Sequence, residues 1–351
     1  MLDTANWPLP GLIGALLAGA LLILWAGTRV TRLADQLADS TGLGEALFGA
    51  VMLGATTSLP GIVTSVTAAM ADHPALAVSN AMGGIAVQTA FLAVADMSYR
   101  KVNLEHAAAS LENLVQGALL IVLLAVPLLA QAATEVTWLG VHPASVLLVL
   151  AYLGGLRLVA GTREASAWIP RHSAETVTDE PDPGNQNDAS AGPLAIRFIL
   201  FGLLVGAAGY VVARSGIALS ERALLSETAV GMLITAVVTS LPELVTSVAA
   251  VRQGALTLAV GGIIGGNVFD ILFLAFADVA YREGSLYHAM GQQQVFTIAL
   301  TQLLTGVLLL GLLRREKAGL ANIGFESILV LVLYLSAVVV VALGGIGGQA
   351  P

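Results

Sequence analysis

Shifting this 351-residue sequence by 182 positions lays Thr57 to Arg100 on Thr239 to Arg282 without a gap, and 21 of the 44 positions in that window are identical. TSLP recurs at Thr57 to Pro60 and Thr239 to Pro242, and VTSV at Val63 to Val66 and Val245 to Val248. The Gly83-Gly84 pair returns as Gly265-Gly266, and Tyr99-Arg100 as Tyr281-Arg282. The chain is a duplicated unit. Hydrophobic segments interrupted at matching places in two halves are the sequence mark of an intramembrane binding site.

The surroundings of the repeat are those of a membrane protein. Hydrophobic residues make up 57% of the chain, charged residues 11%, and the mean hydropathy is +0.86, outside the range of soluble domains. The net charge of -8 says little about partners, because five of the 23 acidic residues fall in the short stretch from Glu175 to Asp188. No cysteine is present, which excludes disulfides, thiolate metal sites and cysteine nucleophiles. The first apolar run follows no positive segment, so it reads as a retained span rather than a signal peptide.

About 20 apolar residues are needed to cross the hydrocarbon core. Ten segments qualify, at roughly 9–27, 46–70, 75–98, 111–131, 141–161, 194–213, 225–250, 256–280, 293–313 and 325–347. The expected fold class is an all-α polytopic membrane protein. Residues 1–161 form the first repeat, 162–193 an acidic cytoplasmic linker and 194–351 the second repeat. Five spans per half is an odd number, so the two repeats have inverted topology. Twelve Lys and Arg residues fall on one side and three, Arg214, Arg222 and Arg282, on the other. The positive-inside rule then makes the first side cytoplasmic and puts both termini outside, in what reads as a prokaryotic inner membrane. The linker is rich in Pro, Gly, Asn and acid, reads as flexible, and has no EF-hand spacing.

Two prolines lie well inside spans, Pro60 and Pro242. A proline lacks the N–H that would bond one turn back, so it frees a backbone carbonyl, and in lipid that group needs a new partner. Hydroxyls stand at both breaks, Thr57 and Ser58 in one copy and Thr239 and Ser240 in the other. Glu243 lies one turn further on, and Asp270 sits four residues after Gly266 in the partner segment. Acids inside membrane spans are expensive and mark an ion or substrate path. Two of them in register with both breaks make a cluster of hard oxygens suited to sodium or calcium and not to zinc or copper. The Gly265-Gly266 pair is expected to permit close approach of a neighbouring helix.

The paired segments TTSLPGIVTSV with SNAMGGIAVQ and VTSLPELVTSV with GGIIGGNVFD resemble the alpha-repeats of the calcium/cation antiporter superfamily, most closely its prokaryotic sodium/calcium exchangers. The resemblance implies that Glu243 and Asp270 are the principal ligands, with Thr57, Ser58, Thr239 and Ser240 supplying neutral oxygens. It implies no cofactor; the partners are inorganic cations, the transported ions being calcium, sodium or protons, together with the lipid bilayer. This chain departs from the family pattern where a glutamate of the first repeat is Gly61 and an Asn or Asp is Gln88. Gln88 keeps an amide oxygen as a neutral ligand. With only Glu243 and Asp270 the site carries a formal -2, which one calcium, two sodium ions or two protons would neutralise. A carboxylate in a low-dielectric site has its charged form disfavoured, so sodium and protons stay open alike as the counter-ion.

Other features read as structural. Asp96 and Asp278, beside the repeated Tyr-Arg pairs, suggest interfacial anchors. Glu45 and Glu227 stand at helix starts, where a carboxylate suits the dipole. The five histidines fall in loops or at span ends and read as solvated, and Trp7, Trp25, Trp138 and Trp168 as interfacial belt residues. An intramembrane enzyme is disfavoured by the absence of H-E-x-x-H, G-x-S-x-G and any thiol. Nothing marks nucleic-acid binding, and self-association leaves no signature in the sequence.

Overall fold

The computed structural model describes Thr4 and residues 6–41, 55–98, 103–162, 191–222, 225–253, 256–316 and 323–347. Among the described residues the regular structure is all helical apart from one isolated bridge between Trp138 and Val141. The helices are α1 (Leu9–Thr41), α2 (Leu59–Met70), α3 (Pro74–Ser98), α4 (Leu104–Ala107), α5 (Leu111–Ala132), α6 (Pro143–Gly161), α7 (Ala191–Glu221), α8 (Glu227–Thr239), α9 (Leu241–Gln253), α10 (Leu256–Asp270), α11 (Leu272–Ala280), α12 (Gln292–Arg314) and α13 (Phe325–Gly347). Among the described residues eight segments are long and apolar enough to cross a membrane, α10 and α11 together making one of them, and α8 with α9 makes a ninth, bent by 48°. Of the tenth expected span, over 46–70, the described part holds α2, residues 42–54 lying outside those described. The chain is an all-α membrane protein built as two inverted five-helix repeats.

Two helices overrun the expected spans. The apolar runs place α1 over residues 9–27 and α7 over 194–213, yet they extend to Thr41 and Glu221. Hydropathy finds the part of a helix that suits hydrocarbon, not where the helix stops. From Thr28 to Thr41 and from Arg214 to Glu221 no proline intervenes and half of the residues are good helix formers, so nothing stops the helices from continuing. Helix α7 also starts at Ala191, inside the expected linker; residues 163–190 lie outside the described part. The two long helices run antiparallel: Thr4 Oγ1 donates to Arg214 O at 2.9 Å and the Arg222 guanidinium donates to Trp7 O.

The core is centred on α3, whose most apolar window is 94% buried, against 28% for that of α1 and 22% for that of α7. Its apolar residues are spread around the helix instead of forming one stripe, as suits a helix enclosed on all sides, and its polar side chains Asn80, Gln88 and Asp96 are buried too. The broken α8–α9 span, α2, α10 and α11 pack around it. Helices α1 and α7 flank this core, and each meets a proline break closely at one glycine. A Cβ on Gly27 of α1 would stand 2.7 Å from Pro242 Cγ, and one on Gly209 of α7 would stand 2.7 Å from Pro60 O. These glycines are themselves 182 residues apart, so each long helix sets the same repeat position against the proline break of the other repeat, one on the ring and one on the backbone.

The expectation for Asp96 and Asp278 is corrected: both are fully buried. Each tethers the loops at one end of the bundle. Asp278 Oδ1 accepts from Leu286 N at 3.0 Å and Oδ2 from His142 N at 2.8 Å; Asp96 Oδ1 accepts from Leu104 N at 2.8 Å and Oδ2 from Gly324 N at 3.2 Å. Free loop N–H groups near the ends of spans need an acceptor where water is excluded, and a buried carboxylate can take two of them. Three histidines are also better tied than expected. His106 and His142 are buried, and His73 Nδ1 lies 2.8 Å from Glu227 Oε1. His172, Glu45 and Trp168 lie outside the described residues.

Candidate functional site

Both proline breaks deliver their hydroxyls to one place. Ser58 precedes the first turn of α2, with Pro60 in that turn, and Ser240 is the single residue between α8 and α9, ahead of Pro242. Proline is tolerated in a first helical turn, so each break ends one helical piece and starts the next. Helix α10 ends at Asp270, and α11 resumes at Leu272, which puts a third helix terminus against the two breaks.

The cavity between them is lined by Ser58, Gly61, Asn80, Gly84, Gln88, Thr239, Ser240, Glu243, Asp270 and Phe273. About 10 Å³ of it is open to the centre of a water-sized particle, close to the space one such particle needs. Glu243 is 6% exposed and Asp270 1%. The Ser58 hydroxyl donates to Asp270 Oδ1, and Gln88 Nε2 donates to Asp270 Oδ2 at 2.8 Å. The same amide nitrogen donates to Ser240 Oγ at 3.1 Å. Thr57 is hydrogen-bonded to Glu243, and Thr239 Oγ1 donates to Ala236 O at 3.3 Å. The seven residues singled out in the sequence thus converge, six lining the cavity and Thr57 reaching it through Glu243.

Two buried oxygens of this set have no hydrogen-bond partner, Glu243 Oε2 and Gln88 Oε1. A buried acceptor without a donor is costly, and such groups are rare in folded proteins. A cation can satisfy such acceptors, as can a proton or a water O–H. Among the described residues no three His, Cys, Asp or Glu side chains are grouped as a metal centre.

Position 61 has a physical reason to be glycine here. A Cβ on Gly61 would come within 2.6 Å of Phe273 Cε2, so the ring stands where a side chain would begin. Gly265 and Gly266 face Gln116 and Gln88 at ordinary van der Waals range, and the expected tight helix approach is not at this pair. Sequence reasoning missed Asn80, which holds the first-repeat side of the cavity: its Nδ2 donates to Gly61 O at 3.2 Å and to Ser65 Oγ at 2.9 Å, while Thr235 Oγ1 donates to its Oδ1 at 2.7 Å. Its counterpart in the duplication is Gly262, so the repeat did not mark it.

Two inverted helical repeats with broken spans meeting at a buried, acid-bearing pocket define a secondary transporter rather than an enzyme. The profile of the family described as sodium/calcium exchanger protein matches residues 11–160 and 193–343, and the chain belongs to that family. The inner membrane protein YrbG of Escherichia coli (strain K12) is 26% identical over 274 residues, covering 77% of this chain and 80% of that protein. The putative antiporter CaxA of Alkalimonas amylolytica is 26% identical over 307 residues, 85% of this chain and 90% of its own. Among solved structures, an H+/Ca2+ exchanger CAX superposes with a TM-score of 0.65 at 12% identity, covering 95% of this chain and 85% of that one. The sodium-calcium exchanger NCX_Mj, soaked with 10 mM Na+ and zero Ca2+, gives 0.60 at 19% identity over 93% and 98%.

Proposed function

We propose that the chain is an antiporter that exchanges calcium, or a cation like it, against sodium or protons by alternating access at the pocket holding Glu243 and Asp270. The observation that carries this reading is the pair of buried, partnerless acceptors, Glu243 Oε2 and Gln88 Oε1, in a cavity to which both repeats contribute hydroxyls. A divalent ion there neutralises both acids; when it leaves, protons or sodium ions take over the same oxygens. Competition for one pocket couples the two fluxes. Ser58, Gln88 and Ser240 orient Asp270, so it presents the same geometry to either ion. Helices α1 and α7, seated on the proline breaks through Gly27 and Gly209, are the elements that slide to open the pocket to one side and then the other. The distribution of Lys and Arg supports an orientation with both termini outside.

Ligand linkage tests this directly. A cation that binds the folded protein stabilises it by about 2.7 kcal/mol at one hundred times its dissociation constant. Calcium is expected to raise the melting midpoint of the detergent-solubilised protein, sodium or acid to compete with it, and Glu243→Gln to abolish the shift. A shift that survives in Glu243→Gln would place the ion elsewhere.

A further inference from the structure

The two ends of the bundle carry matched loop tethers, and one of them has been made acidic. Each contact around Asp278 has a counterpart 182 residues away around Asp96. Ser145 Oγ meets Tyr287 OH at 2.9 Å, and the equivalent Ser327 Oγ donates to Glu105 Oε1 at 3.1 Å. His288 Nε2 lies 3.0 Å from Ala133 O, and the equivalent His106 Nδ1 lies 2.7 Å from Arg315 O. The tether is therefore complete with a tyrosine and an alanine, Tyr287 and Ala144. At the other end the same positions hold Glu105 and Glu326, each 1% exposed, so these acids are not required by the fold.

The side chains of Glu105 and Glu326 reach one another, yet Glu105 Oε2 and both Glu326 oxygens have no hydrogen-bond partner. Two ionised carboxylates can only accept; a bond between them requires that one carry a proton. Among the described residues, the charged groups packed around them do not offer a substitute. Asp96 adds a third acid, His106 is engaged by the Arg315 carbonyl, Arg315 Nη2 donates to His106 O, and Arg314 pairs with Glu316 at 3.6 Å. Helix α10, packed on α4, carries no charged residue before Asp270. The grouping does not have the arrangement of a metal site. Burial, with Asp96 and Glu326 beside it, pushes the Glu105 carboxyl well above its ordinary range.

We infer that Glu105 and Glu326 form a proton-binding carboxyl dyad, separate from the transport pocket, that ties α4 to the start of α13 when it holds one proton. Loss of that proton leaves two negative charges in contact and loosens this end of the bundle, so the dyad reports pH to the loops joining α3 to α5 and α12 to α13.

Infrared spectroscopy of the full chain in liposomes tests this in a Glu243→Gln/Asp270→Asn background, where the pocket acids cannot contribute. A protonated-carboxyl C=O band is expected to persist near neutral pH, to fade as pH rises, and to vanish on adding either Glu105→Gln or Glu326→Gln. The melting midpoint of the same background protein is expected to fall more steeply as pH rises and the band fades than that of the Gln variants, which keep only the pH response shared by both, including that of His73. Glu326→Ala, which reproduces the residue of the other repeat, is the second variant if a Gln variant does not fold. No such band in the background protein, or a band that every one of these variants leaves unchanged, overturns the inference.

Discussion

Gln88 and Asp270 occupy the same position in the two repeats, 182 residues apart, and are hydrogen-bonded to each other at 2.8 Å. The pocket therefore lies where the inverted halves meet, and the pair itself is asymmetric, an amide in one half and a carboxylate in the other. Replacing Gln88 by Ala leaves Asp270 Oδ2 buried without its donor, a loss of about 1–3 kcal/mol. Gln88→Ala is expected to lower the melting midpoint in cation-free buffer and to weaken calcium-dependent stabilisation, both read in one thermal titration series.

Gly61 and Phe273 exclude any side chain at the position where the family carries an acid. Gly61→Ala is expected to destabilise by roughly 1–3 kcal/mol through overpacking, since the aromatic ring is buried and cannot swing clear without disturbing its neighbours. Pairing it with Phe273→Leu, which shortens the obstructing side chain, is expected to recover part of that loss. Denaturation of the two variants side by side checks the contact.

The seats of the two long helices give a kinetic expectation. Gly209→Ala drives a methyl group into the backbone of Pro60, and Gly27→Ala drives one into the ring of Pro242. Backbone yields less readily than a ring, so Gly209→Ala is expected to cost more, near the upper part of the roughly 1–3 kcal/mol range for overpacked sites. Both variants are expected to slow exchange while leaving calcium-dependent stabilisation intact, because neither glycine lines the pocket. Flux and thermal shift, measured on the same preparations, separate the two effects.

A pH response also arises at the turn between α2 and α3. The hydrogen bond to Glu227 raises His73 above its ordinary value of 6.5, with Glu221 adding to the effect at 3.6 Å. A raised folded-state value means the stabilisation is fully present below about 6.5 and is lost as pH climbs through the folded value. The groups are partly exposed, so the contribution is at most about 1 kcal/mol. Wild type is expected to lose its advantage over His73→Gln as pH rises through that window, measured as the difference in melting midpoint.

Much of this arrangement was legible in the sequence for a physical reason: hydrocarbon tolerates so few polar groups that each one carries information. The duplication, the interior prolines Pro60 and Pro242, and the acids Glu243 and Asp270 located the pocket without coordinates. What escaped was set by contacts between distant segments. Asn80 has a glycine as its repeat partner, and Phe273 reads as ordinary membrane apolarity until its ring is seen against Gly61. Asp96 and Asp278 repeat plainly, but only the loop N–H groups bonded to them distinguish a buried tether from a surface anchor. The overrun of α1 and α7 was hidden because hydropathy measures the solvent a helix prefers, not its length.

The most direct test is uptake of labelled calcium into proteoliposomes under an imposed outward gradient of sodium or, separately, of protons, comparing wild type with Asp270→Asn. Wild type is expected to accumulate calcium when one of these gradients is present and to stop when it is dissipated, and Asp270→Asn is expected to remain at the level of empty liposomes. Uptake driven by neither gradient, or gradient-driven uptake unchanged in Asp270→Asn, would contradict an exchange site at this pocket.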